Sequence, residues 1–239
     1  MRGARLKAHS AAAREMVGSA GAPGHRAASR DDVLSEDMKQ SRTPDASAQR
    51  YGKGLAYAAE KHAGQKRKGT KIPYISHPIG VASLVLEYGG GEDEVIAALL
   101  HDVAEDCGGQ EALDEIRAKF GMSVAAIVEG CSDTLETPKP EWLERKRNYV
   151  EHLRNAPPKV RLVSAADKLH NARAILKDLR DLGDEVWTRF SASKDDVLWY
   201  YRALVEAFKA RGTSPLIEEL ERTVAEMVRA AGAGRATVR

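Results

Sequence analysis

Apolar positions recur at helical spacing along most of the chain after residue 45. In one long segment, Leu162, Ala166, Leu169, Ala172 and Leu176 follow each other at three or four residues, which places them on one face of a helix. We find no segment there with the period-two alternation of a half-buried strand. Glycines, prolines and capping residues divide this part of the chain into predicted helices at approximately 45–63, 78–88, 92–106, 110–120, 123–132, 141–155, 159–179, 193–210 and 214–230.

The start of the chain differs from the rest in composition. Residues 1–45 are rich in Ala, Gly, Ser and Arg, which predicts a disordered N-terminal tail. They lack the continuous apolar stretch of a secretory signal, although an organellar transit peptide shares an Ala- and Arg-rich composition. We therefore predict one helical domain at residues 46–230, followed by a flexible C-terminal tail at 231–239.

Overall composition narrows the class of protein. The 239 residues are 43% hydrophobic and 30% charged, as in ordinary soluble proteins, and no apolar run reaches the roughly 18–20 residues of a membrane span. The net charge is +2, with its basic excess in the first 50 residues, so we predict no nucleic-acid partner. Two cysteines, Cys107 and Cys131, are too few for a disulfide framework, which favours the reducing cytoplasm.

Titratable residues are concentrated where an apolar run ends, in LLHDVAED at 99–106. On a helix, His101 lies one turn before Glu105, and Asp102 lies one turn before Asp106, so one imidazole and three carboxylates surround one helix end. Such groups are costly to bury without partners. A metal ion would satisfy them, although most adjacent His-Asp pairs are simply solvated.

Two further positions fit the same interpretation. Asp167 follows the nearly uncharged stretch 162–166, with Asn171 one turn later on the same face, and His77 precedes a proline at a loop-to-helix junction. Alone, Asp167 could pair with Lys168 or Arg173, and His77 could cap a helix. Together, two imidazoles and two carboxylates without thiolates suit Mn²⁺, Fe²⁺ or catalytic Zn²⁺.

The order and context of these motifs resemble a known family. The segments AEKHAGQKRKGTKIPYISHPIGVA, AALLHDVAEDC, FGMSVAAIVEGCSD, LERKRNYVEHL and VRLVSAADKLHNAR are similar to HD-domain metal-dependent phosphohydrolases. Specifically, they resemble the hydrolase domain of the RelA/SpoT family and its stand-alone small alarmone hydrolase branch. The similarity extends over about residues 46–212. It implies an all-α HD-domain bundle of about eight to ten helices.

The resemblance also implies an activity and a site. Members hydrolyse the 3′-pyrophosphate of ppGpp and pppGpp with one Mn²⁺ per chain. By position, the metal ligands are His77, His101, Asp102 and Asp167, and the pair that activates or orients water is Glu105 and Asp106. The implied substrate contacts are Arg67, Lys68, Asn171, Arg145, Lys146 and Tyr200. One departure is that Trp142 occupies a position where some members have a basic residue, with Lys139 nearby.

Several alternatives stay open at this point. The same fold and metal could serve adenosine alarmones such as (p)ppApp, or NADPH as a phosphatase substrate. A non-catalytic alarmone-binding protein is a third class, but it would not be expected to keep both Glu105 and Asp106. Arg67 and Lys68, as well as Arg145 and Lys146, could instead be solvated charges, and Tyr200 could be core packing. The sequence leaves monomer and homodimer equally open.

Overall fold

The computed structural model describes residues 44–233, and this part of the chain is almost entirely helical. The prediction of an all-α fold is confirmed. The helices are α1 (Pro44–Lys61), α2 (Ser76–Glu87), α3 (Glu92–Leu100), α4 (Val103–Asp106), α5 (Gly109–Phe120), α6 (Met122–Cys131), α7 (Trp142–Asn155), α8 (Pro158–Leu182), a 3₁₀ helix (Gly183–Arg189), α9 (Lys194–Lys209) and α10 (Pro215–Ala233).

The long helix α8 is the centre of the fold. It begins with Pro158, whose fixed φ angle suits the first turn, and ends before Gly183, which has φ 59°. It packs against α2, α3, α6, α9 and α10. Helix α3 is also enclosed, because every residue from Val95 to Leu100 is buried. Residues within α8, and those that directly follow α3, are therefore attached to helices packed into the core.

The prediction of one continuous helix at 92–106 is wrong, because the helix is interrupted at His101 and Asp102. Helix α3 ends at Leu100 and the short α4 begins at Val103, with Asp102 between them in a distorted right-handed conformation of φ −93° and ψ −8°. Neighbouring side chains on a regular helix do not face each other. The Oδ2 atom of Asp102 nevertheless lies 3.0 Å from His101 Nε2. The two adjacent side chains therefore meet at the place where the regular helix is interrupted.

Some segment ends also differ from those predicted. Helix α6 begins at Met122, one residue before the predicted start at 123, and follows Gly121, which has φ 95°. Helix α10 extends to Ala233, beyond the domain boundary expected at 230. Apart from residues 44–45 and 231–233, the two predicted tails lie outside the described residues. None of the helices between 44 and 233 combines the length and apolar character that crossing a membrane requires.

Candidate metal centre and catalytic pocket

The four predicted ligands meet where three helices approach each other. His77 lies in the first turn of α2, His101 and Asp102 lie between α3 and α4, and Asp167 lies midway along α8. His77, His101 and Asp102 each offer an atom within 4.8 Å of the other two. Asp167 Oδ1 lies 3.1 Å from His77 Nε2 and 3.6 Å from His101 Nε2. We call these four residues the metal cluster.

The two imidazoles are buried, with side chains that are 1% and 2% exposed. His101 Nδ1 donates to the Ala98 carbonyl at 2.8 Å, so Nε2 is the nitrogen that carries the lone pair whenever the ring is neutral. That Nε2 atom is buried and forms no hydrogen bond, although a carboxylate oxygen of Asp102 is close to it. A buried polar atom without a partner needs an explanation, and a divalent cation between these side chains supplies one. The residues present therefore fit a metal ion.

The ionisable groups of the metal cluster shift one another's pKa values. Burial alone would lower the pKa of His101, but the carboxylates of Asp102 and Asp167 outweigh it and hold that pKa well above its usual range. Burial alone would raise the pKa of Asp102. The neighbouring His101 and His77 outweigh burial, so the pKa of Asp102 lies well below its usual range. The pKa of Asp167 is likewise low, because Lys168 and the imidazoles outweigh its burial. Both carboxylates are therefore ionised, and without a metal the positive charge that balances them comes from His101 and Lys168.

Each carboxylate is oriented by a neighbour. Tyr74 donates its hydroxyl proton to Asp102 Oδ2 at 2.5 Å. Asn171 Nδ2 donates to Asp167 Oδ1, and Lys168 Nζ donates to Asp167 Oδ2, both at 2.6 Å. Sequence reasoning placed Asn171 beside Asp167 and treated Lys168 only as a possible ion-pair partner. It missed Tyr74, which only the fold brings to Asp102.

The Glu105 and Asp106 carboxylates lie beside a loop rather than on the metal cluster. Lys139 Nζ is 2.8 Å from Glu105 Oε1 and 3.5 Å from Asp106 Oδ1. The backbone N–H of Asp133 donates to Glu105 Oε2 at 3.4 Å. Burial and the nearby Asp133 carboxylate raise the pKa of Glu105, against the lowering effect of Lys139. A raised pKa suits a carboxylate that must exchange a proton near neutral pH.

Asp133 joins this pair to helix α7. Its Oδ2 atom is 2.6 Å from Arg145 NH1 and also contacts Lys146 Nζ. Burial and the charge of Lys168 lower the pKa of Lys146. Arg145 and Lys146 are thus held by an internal ion pair with Asp133, rather than being free surface charges.

The other predicted substrate residues, Arg67, Lys68 and Tyr200, differ from one another in exposure and in contacts. Arg67 NH2 donates to Asn171 Oδ1 at 2.6 Å, and Asn171 in turn reaches Asp167, so Arg67 is connected to the metal cluster. Lys68 is exposed on the same loop. Tyr200 is buried, with Lys146 Nζ 5.2 Å from its ring centroid. We call Arg67, Lys68, Lys139, Arg145 and Lys146 the basic rim.

His170 is another residue that sequence reasoning did not assign. Its Nδ1 atom lies 2.8 Å from His77 Nδ1, on the side of His77 away from the carboxylates. Burial, together with the neighbouring His77 and Arg67, lowers the pKa of His170 to about 4. The only sequence signal was its position three residues after Asp167 on the same helix.

Comparison with known proteins identifies the family of this chain. The family model described as an HD domain matches residues 54–198, which is more than half of the chain. The chain belongs to the HD-domain family. Its relatives place it in the small alarmone hydrolase branch of that family, as the motifs indicated, and HD-domain hydrolases are metal-dependent.

Two relatives and one solved structure illustrate the similarity. The guanosine-3′,5′-bis(diphosphate) 3′-pyrophosphohydrolase MESH1 of Xenopus tropicalis is 40% identical over 68% of this chain and 85% of its own length. The Homo sapiens protein of that name is 40% identical over 68% of this chain and 86% of its own. A structure described as a metazoan ortholog of SpoT that hydrolyzes ppGpp has TM-score 0.58 and 29% identity, covering 77% of this HD-domain chain and 96% of that one.

Proposed function

We propose that this protein hydrolyses the 3′-pyrophosphate of ppGpp and pppGpp in the cytoplasm, giving GDP or GTP and pyrophosphate, with one Mn²⁺ per chain. The observation that carries the proposal is the convergence of His77, His101, Asp102 and Asp167, with Glu105 and Asp106 in the short helix that directly follows Asp102. Support for the substrate comes from relatives that are about 40% identical and named for this reaction.

The donor set supports the choice of metal. Two imidazole nitrogens and two carboxylate oxygens, with no thiolate among them, are ligands that suit Mn²⁺. When bound, a divalent cation makes water more acidic and neutralises charge on phosphate oxygens. Tyr74, Asn171 and Lys168 would keep the two carboxylates turned towards the ion, because each donates to one of their oxygens.

Glu105 is the proposed general base, and Asp106 the residue that helps to orient water. Glu105 must be ionised to accept a proton, and its raised pKa makes it a stronger base than an ordinary glutamate. Lys139 holds its Oε1 atom by an ion pair, which fixes the direction of the carboxylate. The proton is then returned to the ribose 3′ oxygen as pyrophosphate leaves.

The basic rim is proposed to bind the substrate. A nucleotide with several phosphates carries more negative charge than one cation neutralises, and arginine guanidinium groups suit both phosphate and purine faces. Arg67, Lys68, Arg145 and Lys146 would supply positive charge around the cluster. Asn171 is proposed to contact the ribose, and Tyr200 to lie near the nucleotide through its contact with Lys146.

A substrate panel tests the proposal. Purified full-length protein with Mn²⁺ is incubated with ppGpp, pppGpp, ppApp or NADPH, and nucleotide and pyrophosphate are followed by chromatography. We expect the guanosine compounds to turn over fastest and EDTA to abolish turnover. Faster reaction of ppApp or NADPH would overturn the guanosine assignment. Tight binding of ppGpp without any turnover would identify a binding protein instead.

A further inference from the structure

We infer that His170 is a positioning residue that holds His77 in the tautomer required of a metal ligand, and that the glycine at position 80 admits its ring. The inference rests on the proposed metal site and adds two residues to it. Neither residue offers an atom to the metal cluster itself.

The geometry between the two histidines requires one donor and one acceptor. His77 Nδ1 and His170 Nδ1 are 2.8 Å apart, with ring centroids at 4.8 Å and an interplanar angle of 50°. Two lone pairs cannot share a hydrogen bond, so one of these nitrogens carries the proton and the other accepts it. This contact therefore couples the tautomers of the two rings.

The carboxylates determine which ring has to donate. His77 Nε2 faces Asp167 Oδ1 at 3.1 Å and Asp102 Oδ2 at 3.5 Å, so it is the atom that a metal ion would meet. Its lone pair is free only when the proton is on His77 Nδ1. His170 Nδ1 must then accept that proton's hydrogen bond, just as the Ala98 carbonyl does for His101.

Gly80 creates the space for this arrangement. It lies three residues after His77 within α2, on the same face of the helix. A Cβ atom at position 80 would lie 2.3 Å from His170 Nε2 and 2.4 Å from His170 Cδ2. Inside a helix, alanine is more favourable than glycine, so helix propensity does not explain why position 80 is a glycine. The approach of the His170 ring does.

The test measures Mn²⁺ affinity of the purified full chain by competition with a chelator. His170→Phe keeps a ring but removes the acceptor, and we expect affinity to fall by about 10–100-fold. His170→Asn places an amide oxygen where Nδ1 was, and affinity should stay within a few-fold of wild type. Equal losses in both variants would show that ring packing matters rather than the acceptor, and would overturn the inference. Unchanged affinity in His170→Phe would also overturn it.

A second pair of variants leaves His170 itself unchanged. Gly80→Ala should displace the ring and lower Mn²⁺ affinity roughly tenfold. Gly52→Ala is the matched control, because a Cβ atom there meets nothing within 4 Å. Wild-type affinity in Gly80→Ala would contradict the role of the glycine. If the wild type itself binds no divalent metal, the proposed function fails, whereas normal wild-type binding with unaffected variants refutes only this inference.

Discussion

The metal cluster and the basic rim lie next to each other but differ in side-chain exposure and in the elements that carry them. The cluster side chains of His77 and Asp167 are 1% and 6% exposed and are attached to helices packed into the core. The side chain of Lys139 in the rim is 39% exposed, and it lies on the irregular segment between α6 and α7. The cluster is fixed before any ligand arrives. In the rim, Lys139 has room to adjust to phosphates, whereas Arg145 and Lys146 are held by Asp133. The difference indicates that chemistry and substrate affinity can be changed separately.

The largest effect should follow from breaking the cluster. Asp102→Ala removes an inferred ligand and leaves His101 and His77 without one of their carboxylates. We expect Mn²⁺ affinity to fall by more than the roughly 10–100-fold typical of losing an outer contact, and turnover to reach background. Metal content by mass spectrometry and initial rates measure this. Asp181→Ala, at an exposed position of α8, is the control. Retained metal in Asp102→Ala would remove that residue from the site.

Glu105→Gln should separate metal binding from chemistry. It keeps the shape of the side chain but removes the group that accepts a proton, so turnover should fall by about 10²–10⁴ while the metal stays bound. The same two measurements apply, with rates taken at saturating substrate. Wild-type turnover in this variant would exclude Glu105 as the base, and loss of metal would place it within the cluster.

Substitution in the rim should change KM and leave the metal in place. Arg67→Ala removes a guanidinium that is connected through Asn171 to Asp167. Loss of a charged hydrogen bond is worth about 1.5–3 kcal/mol, so KM for ppGpp should rise by about ten- to a hundredfold. Lys66→Ala removes the same charge from an exposed position one residue away and is the control. Equal KM changes in both variants would mean that only overall charge matters.

The smallest effect is a shift of the pH profile, and its sign differs between two variants. The pKa of Glu105 is above its ordinary value of 4.5, because of burial and Asp133, and Lys139 opposes this. A base works when ionised, so kcat falls as pH decreases through that pKa. Asp133→Asn should move this acid limb to lower pH, and Lys139→Ala to higher pH. Shifts in the same direction, or none, would contradict the assignment. Asp114→Asn, on the exposed face of α5, is the control.

The sequence was most informative where the free-energy cost of burying a group depends on its neighbours along the chain. Apolar spacing predicted the helices because burial of one helix face follows from residues three and four apart. His101, Asp102 and Asp167 stood out because each is polar beside residues that must be buried. The interruption after α3 was not predicted, since the helical periodicity of the sequence continues through His101.

By itself, the sequence determined the helical class, because this depends on apolar spacing within short segments, and the family, because its motifs resemble those of HD-domain hydrolases. It also predicted the four residues that the structure brings together. Tertiary structure alone decided which neighbours serve that cluster. His77 and His170 are 93 positions apart, and Glu105 and Lys139 are 34 apart. Contacts over such separations depend on how helices pack and where a loop returns. The periodicity of the sequence does not predict such contacts. The contacts of Tyr74, Lys139 and His170 were therefore found only in the folded protein.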